Sequence, residues 1–393
     1  MRIGITINTA WNIYNFRKGL IRTLQAEGHQ IVAIAPKDEF SERLVSELNC
    51  EFAALNMDKK GTNPFKDFSL IWQLRQLYKE AKLDVVLQFT IKPNIYGAMA
   101  AALLGIPSIN NVTGLGTVFI RKGMMFEVAK ILYRFAFRYP KVVFFQNEDD
   151  KEVFLKNKLV PKAIVDLVPG SGINLQEFQP TTFMRNKRFT FLMVSRVLYD
   201  KGIIEYIDAI RMLRQQGFSY TFKLLGGINE ANGLGVPKSQ VEAWVKEGLI
   251  AYLGTTDDVR SYIEDADCIV LPSYREGTPR TLIEAASMGK PIVTTNVAGC
   301  KETVINGYNG FLCEVRNATD LAQKFQKMAE LDTSTLMKMG KHSRQLAESK
   351  FDEQLVINRY KHHINQVLGI QTAKKVSAPS KLLDFVPYRS PRD

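Results

Sequence analysis

The sequence predicts an α/β protein with two domains, each built on a parallel sheet between helices. Three observations lead to this prediction. Short apolar strands alternate with helices through both halves, the pattern of doubly wound parallel sheets. A glycine- and proline-rich connection, residues 168–180, separates the halves. The 393 residues are many for one domain and natural for two, at roughly 100–200 residues each.

The first half begins directly on a strand, Arg2-Ile-Gly-Ile-Thr-Ile7, so no secretory leader is expected. Short apolar runs predict strands, and longer amphipathic stretches between them predict helices. The predicted strands are 2–8, 30–35, 51–54, 84–89, 107–111, 141–146 and 164–168. The predicted helices are 15–27, 39–48, 67–81, 94–104, 124–138 and 148–156.

The second half repeats the alternation without repeating the sequence. Its predicted strands are 189–195, 220–225, 250–252, 267–271, 291–294 and 310–313. Its predicted helices are 202–215, 238–246, 256–263, 279–287, 318–330, about 334–349 and 352–368. The tail, 371–393, is rich in Ser, Pro, Lys and Arg and is expected to be loosely ordered.

Composition narrows the function classes. The net charge of +12 favours anionic partners, namely nucleic acid, membrane or phosphorylated ligands. No nucleic-acid-binding motif is present, so a nucleic-acid partner is not expected. The longest apolar run, Tyr96 to Ile106, is too short to span a bilayer. The four histidines form no metal set, and the scattered cysteines predict reduced thiols in a cytosolic protein; they are Cys50, Cys268, Cys300 and Cys313.

Two glutamates, Glu276 and Glu284, are separated by seven residues around a strand-to-helix turn. The first lies in the loop at the carboxyl end of a predicted strand, and the second lies on the helix facing the same crevice. Ligands of open α/β sheets bind in that crevice, and free amides at a helix start favour a phosphate there. A carboxylate on the helix suits a ribose diol, because it can accept both hydroxyl protons.

Arg196 and Lys201 follow another apolar strand and are five positions apart across a strand-to-helix turn. Both cations can converge on one anion, and Gly202 opens the next helix with its free amide end. Cations at this place can stabilise negative charge that develops on a phosphate.

These motifs resemble those of the retaining family-4 glycosyltransferases, which have the GT-B fold. The similarity extends through Ser195-Arg-Val-Leu-Tyr-Asp-Lys-Gly202, Leu224-Leu-Gly-Gly227, Tyr252-Leu-Gly254 and Asn306-Gly-Tyr-Asn-Gly310. It implies two Rossmann-like domains whose parallel sheets face a central cleft. Residues 1–180 would bind the acceptor, 181–350 would bind the nucleotide sugar, and the helix 352–368 would cross back to the first domain.

The resemblance also implies roles for individual residues. Arg196, Lys201 and Glu276 would be catalytic, with Glu276 near the donor sugar. The donor would be held by Gly226, Gly227, Leu253, Gly254, Gly277, Thr278, Pro279, Arg280 and Glu284. No metal and no cofactor are expected. Asp265-Ala-Asp267 is interpreted as a helix end before a buried strand rather than as a metal motif.

The acceptor side departs most from the wide family. Candidate acceptor contacts are Asn12, Thr90, Lys92, Asn94, Thr113 and Gly114. Their surroundings resemble a narrower subgroup, the bacterial N-acetylgalactosaminyltransferase-like enzymes that extend undecaprenyl-diphosphate-linked glycans. The resemblance therefore implies metal-independent, retaining transfer of a sugar, expected to be an N-acetylhexosamine. The donor would be a UDP-sugar and the acceptor a polyprenyl-diphosphate-linked saccharide in surface-glycan assembly.

The segment from Arg121 to Lys141 indicates a membrane contact. It holds six basic residues against one acid, Glu127, and its apolar side chains make the helix amphipathic. Lys130, Arg134 and Arg138 are spaced to form one basic face that can lie on anionic lipid. The expected location is cytoplasmic, peripheral on the inner leaflet. A half-buried helix with a solvated basic face is the alternative.

Three other functions remain open. A UDP-sugar 2-epimerase shares the architecture but would need acid and base groups around the sugar C2. A non-enzymatic nucleotide-sugar-binding or scaffold protein would not need the Arg/Lys pair. A family-4 transferase with a soluble acceptor would not bind anionic liposomes.

Overall fold

A computed structural model of the chain describes residues 1–57, 64–115, 124–182, 184–228 and 235–370. The tail 371–393, predicted to be loosely ordered, lies outside the described residues, as do Arg121 and Lys122 of the basic segment. In the described part of the chain, one sheet has seven strands in the order β3-β2-β1-β4-β5-β6-β7. The other has six in the order β10-β9-β8-β11-β12-β13, and neighbouring strands in both sheets are parallel.

The first sheet and its helices follow the predicted alternation. The strands are β1 (Arg2–Thr6), β2 (Gln30–Ala35), β3 (Glu51–Ala54), β4 (Val85–Phe89), β5 (Ser108–Val112), β6 (Val142–Phe145) and β7 (Val165–Leu167). The helices are α1 (Ala10–Ala26), α2 (Phe40–Ser46), α3 (Pro64–Glu80), α4 (Ala98–Ala102), α5 (Met124–Ala136) and α6 (Glu148–Lys156).

The second half has the same alternation. The strands are β8 (Thr190–Val194), β9 (Thr221–Leu225), β10 (Ala251–Tyr252), β11 (Cys268–Leu271), β12 (Ile292–Thr295) and β13 (Gly310–Cys313). The helices are α7 (Ile203–Gln215), α8 (Lys238–Lys246), α9 (Arg260–Glu264), α10 (Arg280–Ser287), α11 (Ala318–Ala329), α12 (Thr333–Leu346) and α13 (Glu353–Leu368).

The strand order reverses once in each sheet, between β1 and β4 in the first and between β8 and β11 in the second. Loops leaving two such strands diverge to opposite faces and open a crevice at their carboxyl ends, where ligands of doubly wound sheets bind. The loops after β8 and β11 contain Arg196 and Glu276, and those after β1 and β4 contain Asn8 and Thr90.

The last helix, α13, packs with the first sheet. Its buried residues Val356, Ile357, Tyr360 and Ile364 belong to the apolar cluster formed by α1 and one face of that sheet. Asp352 caps the helix by accepting a hydrogen bond from the Gln354 amide at 2.9 Å.

Three of the predicted helices that differ from the observed ones have a clear local cause. α1 begins at Ala10, five residues early, because the Thr9 hydroxyl accepts the Asn12 amide at 3.1 Å and caps it. The helix expected over 94–104 is divided into a π-helical turn, Pro93–Gly97, and α4. The helix expected over 256–263 begins only at Arg260, since Asp258 accepts the Arg260 amide in a turn.

All four cysteines are buried and free of disulfides. Within the described ranges, no helix combines the length and apolar character needed to cross a bilayer.

Candidate active site

The ion pair between Lys201 and Glu276 lies where the second sheet reverses its strand order. Lys201 ends the helical turn Tyr199–Lys201 after β8, and Glu276 lies in the loop after β11. Both side chains are mostly buried, and the same Glu276 oxygen accepts the Ser273 hydroxyl at 2.8 Å. The structure therefore joins two residues that are 75 positions apart and that the sequence predicts to share one site.

Arg196 lies on the same side of the sheet but differs in environment. Arg196 is exposed, and its side chain makes no ion pair with any described residue. The turn that follows needs glycine at 202, because φ is +73° and an added Cβ would lie 2.0 Å from the Pro272 carbonyl oxygen. The Lys201 turn is thus pressed against the start of the Glu276 loop.

The loops after β9 and β10 present mainly backbone. Gly226 has φ +149°, and a Cβ there would lie 1.8 Å from the Ser195 oxygen. Its amide donates to the Gly254 oxygen at 2.8 Å, and the Leu253 amide donates to the Leu224 oxygen at 2.8 Å. Gly227 has ordinary space around it. Three of the predicted donor-binding glycines, Gly226, Gly227 and Gly254, therefore lie with Leu253 on adjoining loops, and Gly226 lies against the Ser195–Arg196 backbone.

Glu284 lies on α10, one turn after Arg280. Arg280 Nε donates to Glu284 Oε1 at 2.9 Å, and Glu284 is 9% exposed. Burial raises the pKa of the Glu284 carboxyl, and the Arg280 charge opposes that rise. Arg280 also donates to the Gly172 oxygen at 2.9 Å, which connects α10 with the segment between the two sheets. Pro279 precedes the helix at its N-cap.

The Glu276 loop touches the first half of the chain through Gly277. A Cβ at Gly277 would lie 2.3 Å from the Thr113 oxygen, and one at Gly114 would lie 3.2 Å from the Gly277 amide. The next residue, Thr278, donates its hydroxyl to the Gln146 oxygen at 3.2 Å. The structure thus brings predicted donor residues into direct contact with predicted acceptor residues.

A second set of contacts, which the sequence analysis missed, holds the same loop. Asn147 Nδ2 donates to the Gly277 oxygen at 2.8 Å while the Asn147 side chain caps α6. Arg275 pairs with Asp150, whose carboxylate is fully buried. Burial raises the pKa of Asp150, and Arg275 opposes the rise. The sequence signal for this cluster was only the cap residue Asn147 before an acidic first turn.

Two of the predicted acceptor residues lie at the crevice of the first sheet. Asn12 is in the first turn of α1 and donates from its side chain to Asn8 Oδ1 at 2.9 Å. Thr90 follows β4 with φ +66°, which is unusual for a residue other than glycine. Its buried hydroxyl has no hydrogen-bond partner among the described residues.

Two other predicted acceptor residues, Asn94 and Lys92, have partners inside the fold. Asn94 is 1% exposed, and its side chain donates to the Asn111 oxygen at 2.8 Å and accepts from Asn110 at 3.1 Å. The Asn94 side chain is therefore used inside the fold, and its contact with the acceptor stays a prediction. Lys92 pairs with Asp67 at 2.6 Å, both side chains being mostly buried, so its charge is already balanced.

A buried polar network lies behind these residues. Asn111 donates to the Tyr360 hydroxyl at 2.7 Å and accepts from Gln146 at 3.4 Å. Asn110 donates to Gln88 at 3.0 Å. Burial raises the pKa of Tyr360 to about 12, so the phenol stays neutral at physiological pH. The network fixes the ends of β4 and β5 to α13.

The predicted end of the basic helix, residue 138, needs correction. α5 ends at Ala136, so Arg138 lies in the following turn. Lys130 is mostly buried and pairs with Glu127 at 3.1 Å. Arg134 and Arg138 are exposed and line a groove of about 720 Å³. The other residues that line this groove are Leu155, Lys156, Lys158, Leu159, Val160, Pro161 and Lys162.

Asp267, the second acid of Asp265-Ala-Asp267, is fully buried. Its carboxylate accepts the Thr190 amide at 2.8 Å and the Asn186 side chain at 3.0 Å. The residue therefore joins the starts of β8 and β11 and belongs to the frame of the second sheet.

Two family models match the chain. The model described as "Glycosyl transferase 4-like" matches residues 5–147, and "Glycosyl transferases group 1" matches residues 176–346. The second match includes the loops that contain Arg196, Lys201, Glu276 and Glu284.

Named relatives and solved structures agree with these models. The chain is 29% identical to the N,N'-diacetylbacillosaminyl-diphospho-undecaprenol α-1,3-N-acetylgalactosaminyltransferase of Campylobacter jejuni, over 92% of this chain and 97% of that protein. It is 26% identical to the UDP-Gal:α-D-GlcNAc-diphosphoundecaprenol α-1,3-galactosyltransferase of Escherichia coli, over 71% and 74%. The sucrose-phosphate synthase of Thermosynechococcus elongatus superposes with a TM-score of 0.78 at 19% identity, covering 94% of this chain and all of that one.

Proposed function

We propose that the chain is a family-4 glycosyltransferase of the GT-B fold and that it transfers a sugar from a UDP-sugar to a saccharide carried on a polyprenyl diphosphate. The observation that carries this proposal is the Lys201–Glu276 pair at the reversal point of the second sheet, where the loop after β8 also presents the exposed Arg196. The two named relatives support the substrate classes, since both are named for diphospho-undecaprenol acceptors and one for a UDP-sugar. An N-acetylhexosamine is the proposed sugar, and surface-glycan assembly is the proposed setting.

The proposed donor site uses the residues of the second half. Glu284 accepts the ribose hydroxyls, and the backbone around Gly226 and Gly254 receives the base. Arg196 and Lys201 hold the diphosphate. Glu276 then has two tasks, because it faces the donor sugar and also fixes the Lys201 ammonium.

The proposed chemistry is retaining transfer without a metal. The bond between the anomeric carbon and the donor phosphate oxygen breaks, and its electron pair leaves with UDP. The acceptor hydroxyl oxygen forms the new bond from the same face, and its proton passes to the leaving phosphate oxygen. Arg196 and Lys201 stabilise the charge that grows on that phosphate, a task that otherwise falls to a metal ion.

A screen of UDP-sugars against a synthetic polyprenyl-diphosphate saccharide tests this proposal. NMR of the product gives the anomeric configuration, and assays with EDTA test the need for a metal. Transfer with retention in EDTA is the expected result. An inverted product, or activity lost in EDTA and restored by a divalent ion, would overturn the mechanism, and interconversion of UDP-sugars without acceptor would indicate an epimerase.

We also propose that the chain works on the inner face of the cytoplasmic membrane, with α5 and the following turn against anionic lipid. Met124, Ile131 and Phe135 are 82%, 64% and 47% exposed, which is unusual for large apolar side chains along one helix. Arg134 and Arg138 adjoin these exposed apolar side chains and line the groove of about 720 Å³ described above. Apolar side chains that enter the lipid boundary beside cations that meet its headgroups make a peripheral membrane contact.

Flotation with phosphatidylglycerol vesicles tests the membrane proposal. Each basic residue near an anionic surface contributes about 1 kcal/mol, so the pair of substitutions Arg134→Gln and Arg138→Gln should remove about 2 kcal/mol before screening. Lys338→Gln is the matched control, since Lys338 is an exposed lysine on α12 of the second half and its loss should leave flotation unchanged. Equal flotation of the double variant and the wild type would contradict the proposal.

A further inference from the structure

A buried arginine occupies a core position on α1. The buried stripe of this helix consists of Ala10, Ile13, Tyr14, Arg17, Leu20, Ile21 and Leu24, so Arg17 stands where an apolar residue is expected. Arg17 is 4% exposed. Its guanidinium carbon lies 4.1 Å from the ring centre of Phe89, the last residue of β4. The charge is therefore held at the crevice end of the first sheet.

No described residue supplies the partner that such a charge needs. Arg17 forms no ion pair within the described ranges, and its buried Nε has no hydrogen-bond partner there. Removing an ion from water without a partner costs several kcal/mol, and a cation–π contact offsets only part of it. The Thr90 hydroxyl, on the residue after Phe89, is also buried and unpartnered.

The charged surroundings of Arg17 are cationic. Burial lowers the pKa of Arg17, the Arg280 charge lowers it further, and Tyr360 opposes both effects. Arg280 comes from the second half and has its own carboxylate, Glu284. The guanidinium carbon of Arg280 lies 5.5 Å from the ring centre of Phe16, the residue before Arg17. The two halves therefore bring two guanidinium groups close to one another.

We propose that Arg17 and Arg280 form an anion site that receives the diphosphate of the lipid-linked acceptor, with Arg17 as the residue that selects for it. This inference rests on the proposed function and adds a location for the part of the acceptor between the lipid and the sugar. A guanidinium fork matches phosphate oxygens in a bidentate manner, and the Thr90 hydroxyl offers a further donor. The acceptor diphosphate would supply the charge that the buried Arg17 lacks.

Paired acceptors test the proposal. One carries the saccharide on a polyprenyl diphosphate, and the other carries the same saccharide on a neutral alkyl linker. The kcat/KM of the wild type should be much higher for the diphosphate acceptor. Arg17→Met should lower that value about tenfold to hundredfold, the loss expected for a hydrogen-bonded charge, and should leave the neutral acceptor unchanged. Arg17→Lys, which keeps the charge without the fork, should fall between them.

Arg22→Met is the matched control, because Arg22 is an exposed arginine on the same helix, and it should keep the wild-type preference. Two results would show that Arg17 only packs in the core: a wild type without preference, or an Arg17→Met variant that loses activity equally on both acceptors. Neither result would contradict the proposed sugar transfer.

Binding of inorganic pyrophosphate, measured by calorimetry with saturating UDP on the donor side, separates the two proposals. Binding that Arg17→Met weakens and Arg22→Met preserves supports the anion site, even if the wild type transfers no sugar and the proposed function fails. Absence of binding to the UDP-loaded wild type, or equal binding to all variants, overturns the anion site.

Discussion

The substitution Glu284→Gln removes one buried charge while nearly keeping the shape of the side chain. The glutamine oxygen can still accept from Arg280, which donates to Glu284 at 2.9 Å. What changes is the interaction with a ribose diol, since a neutral amide replaces a carboxylate. Hydrogen bonds to charged groups contribute about 1.5–3 kcal/mol, so UDP should bind roughly tenfold to hundredfold more weakly.

The same substitution should weaken UDP binding but should increase folding stability relative to the wild type as the pH rises. Burial raises the pKa of Glu284, so its ionised form is disfavoured in the folded chain. A raised pKa contributes stability that is fully present below the unfolded value, 4.5, and is lost as pH rises through the folded value. Glutamine does not titrate. The melting temperature of Glu284→Gln relative to wild type should therefore increase as the pH rises above about 4.5 and then level off.

Calorimetric UDP titration and melting curves between pH 4.5 and 8, without ligand, measure both effects. Glu264→Gln is a suitable control, since Glu264 is exposed at the end of α9. Unchanged UDP affinity would refute the ribose assignment. A variant that loses stability relative to wild type as the pH rises would refute the argument from burial.

Three further outcomes are expected. Arg196→Met and Lys201→Met should each lower kcat by about 10²–10³, because their charges act where phosphate charge develops; steady-state kinetics near wild type would contradict the site. Asp150→Asn should lower kcat and the melting temperature while sparing UDP affinity, whereas Glu152→Gln, in an exposed pair, should change neither. Gly277→Ala should destabilise the chain by about 1–3 kcal/mol in urea unfolding, since its Cβ meets a backbone oxygen at 2.3 Å; an unchanged midpoint would refute this.

The positions of the four charged donor-side residues were largely predictable because they lie in, or just after, the loops that follow two strands at one reversal point. Arg196 and Lys201 are separated by a turn, and Glu276 and Glu284 by a loop and one helical turn, so local sequence sets their spacing. Their convergence then follows from the strand order, in which β8 and β11 are neighbours. The fold class was predictable for the same reason, since the alternation of strands and helices is local.

The acceptor side was less predictable because its contacts join distant parts of the chain. Lys92 is balanced by Asp67, 25 positions away, and Asn111 meets Tyr360, 249 positions away. No local sequence pattern predicts such distant partners. Arg17 is different, since an arginine among the buried positions of an amphipathic helix is visible in the sequence once the start of α1 is known. The helix was predicted to begin at residue 15, five residues late, so the buried stripe that contains Arg17 was not recognised.

The contact between the two halves involves the same short loop as the proposed chemistry. Glu276 fixes Lys201, while the adjoining Gly277 packs on Thr113 and receives the Asn147 side chain. A movement that separated the halves would remove the Gly277 contacts and pull on the carboxylate one residue away. Because misplacing a reacting group by about 1 Å can cost a hundredfold in rate, the closed arrangement of the halves and the alignment of Lys201 should be linked. Residues in the first half, such as Asn147 and Asp150, should therefore affect catalysis without touching the donor.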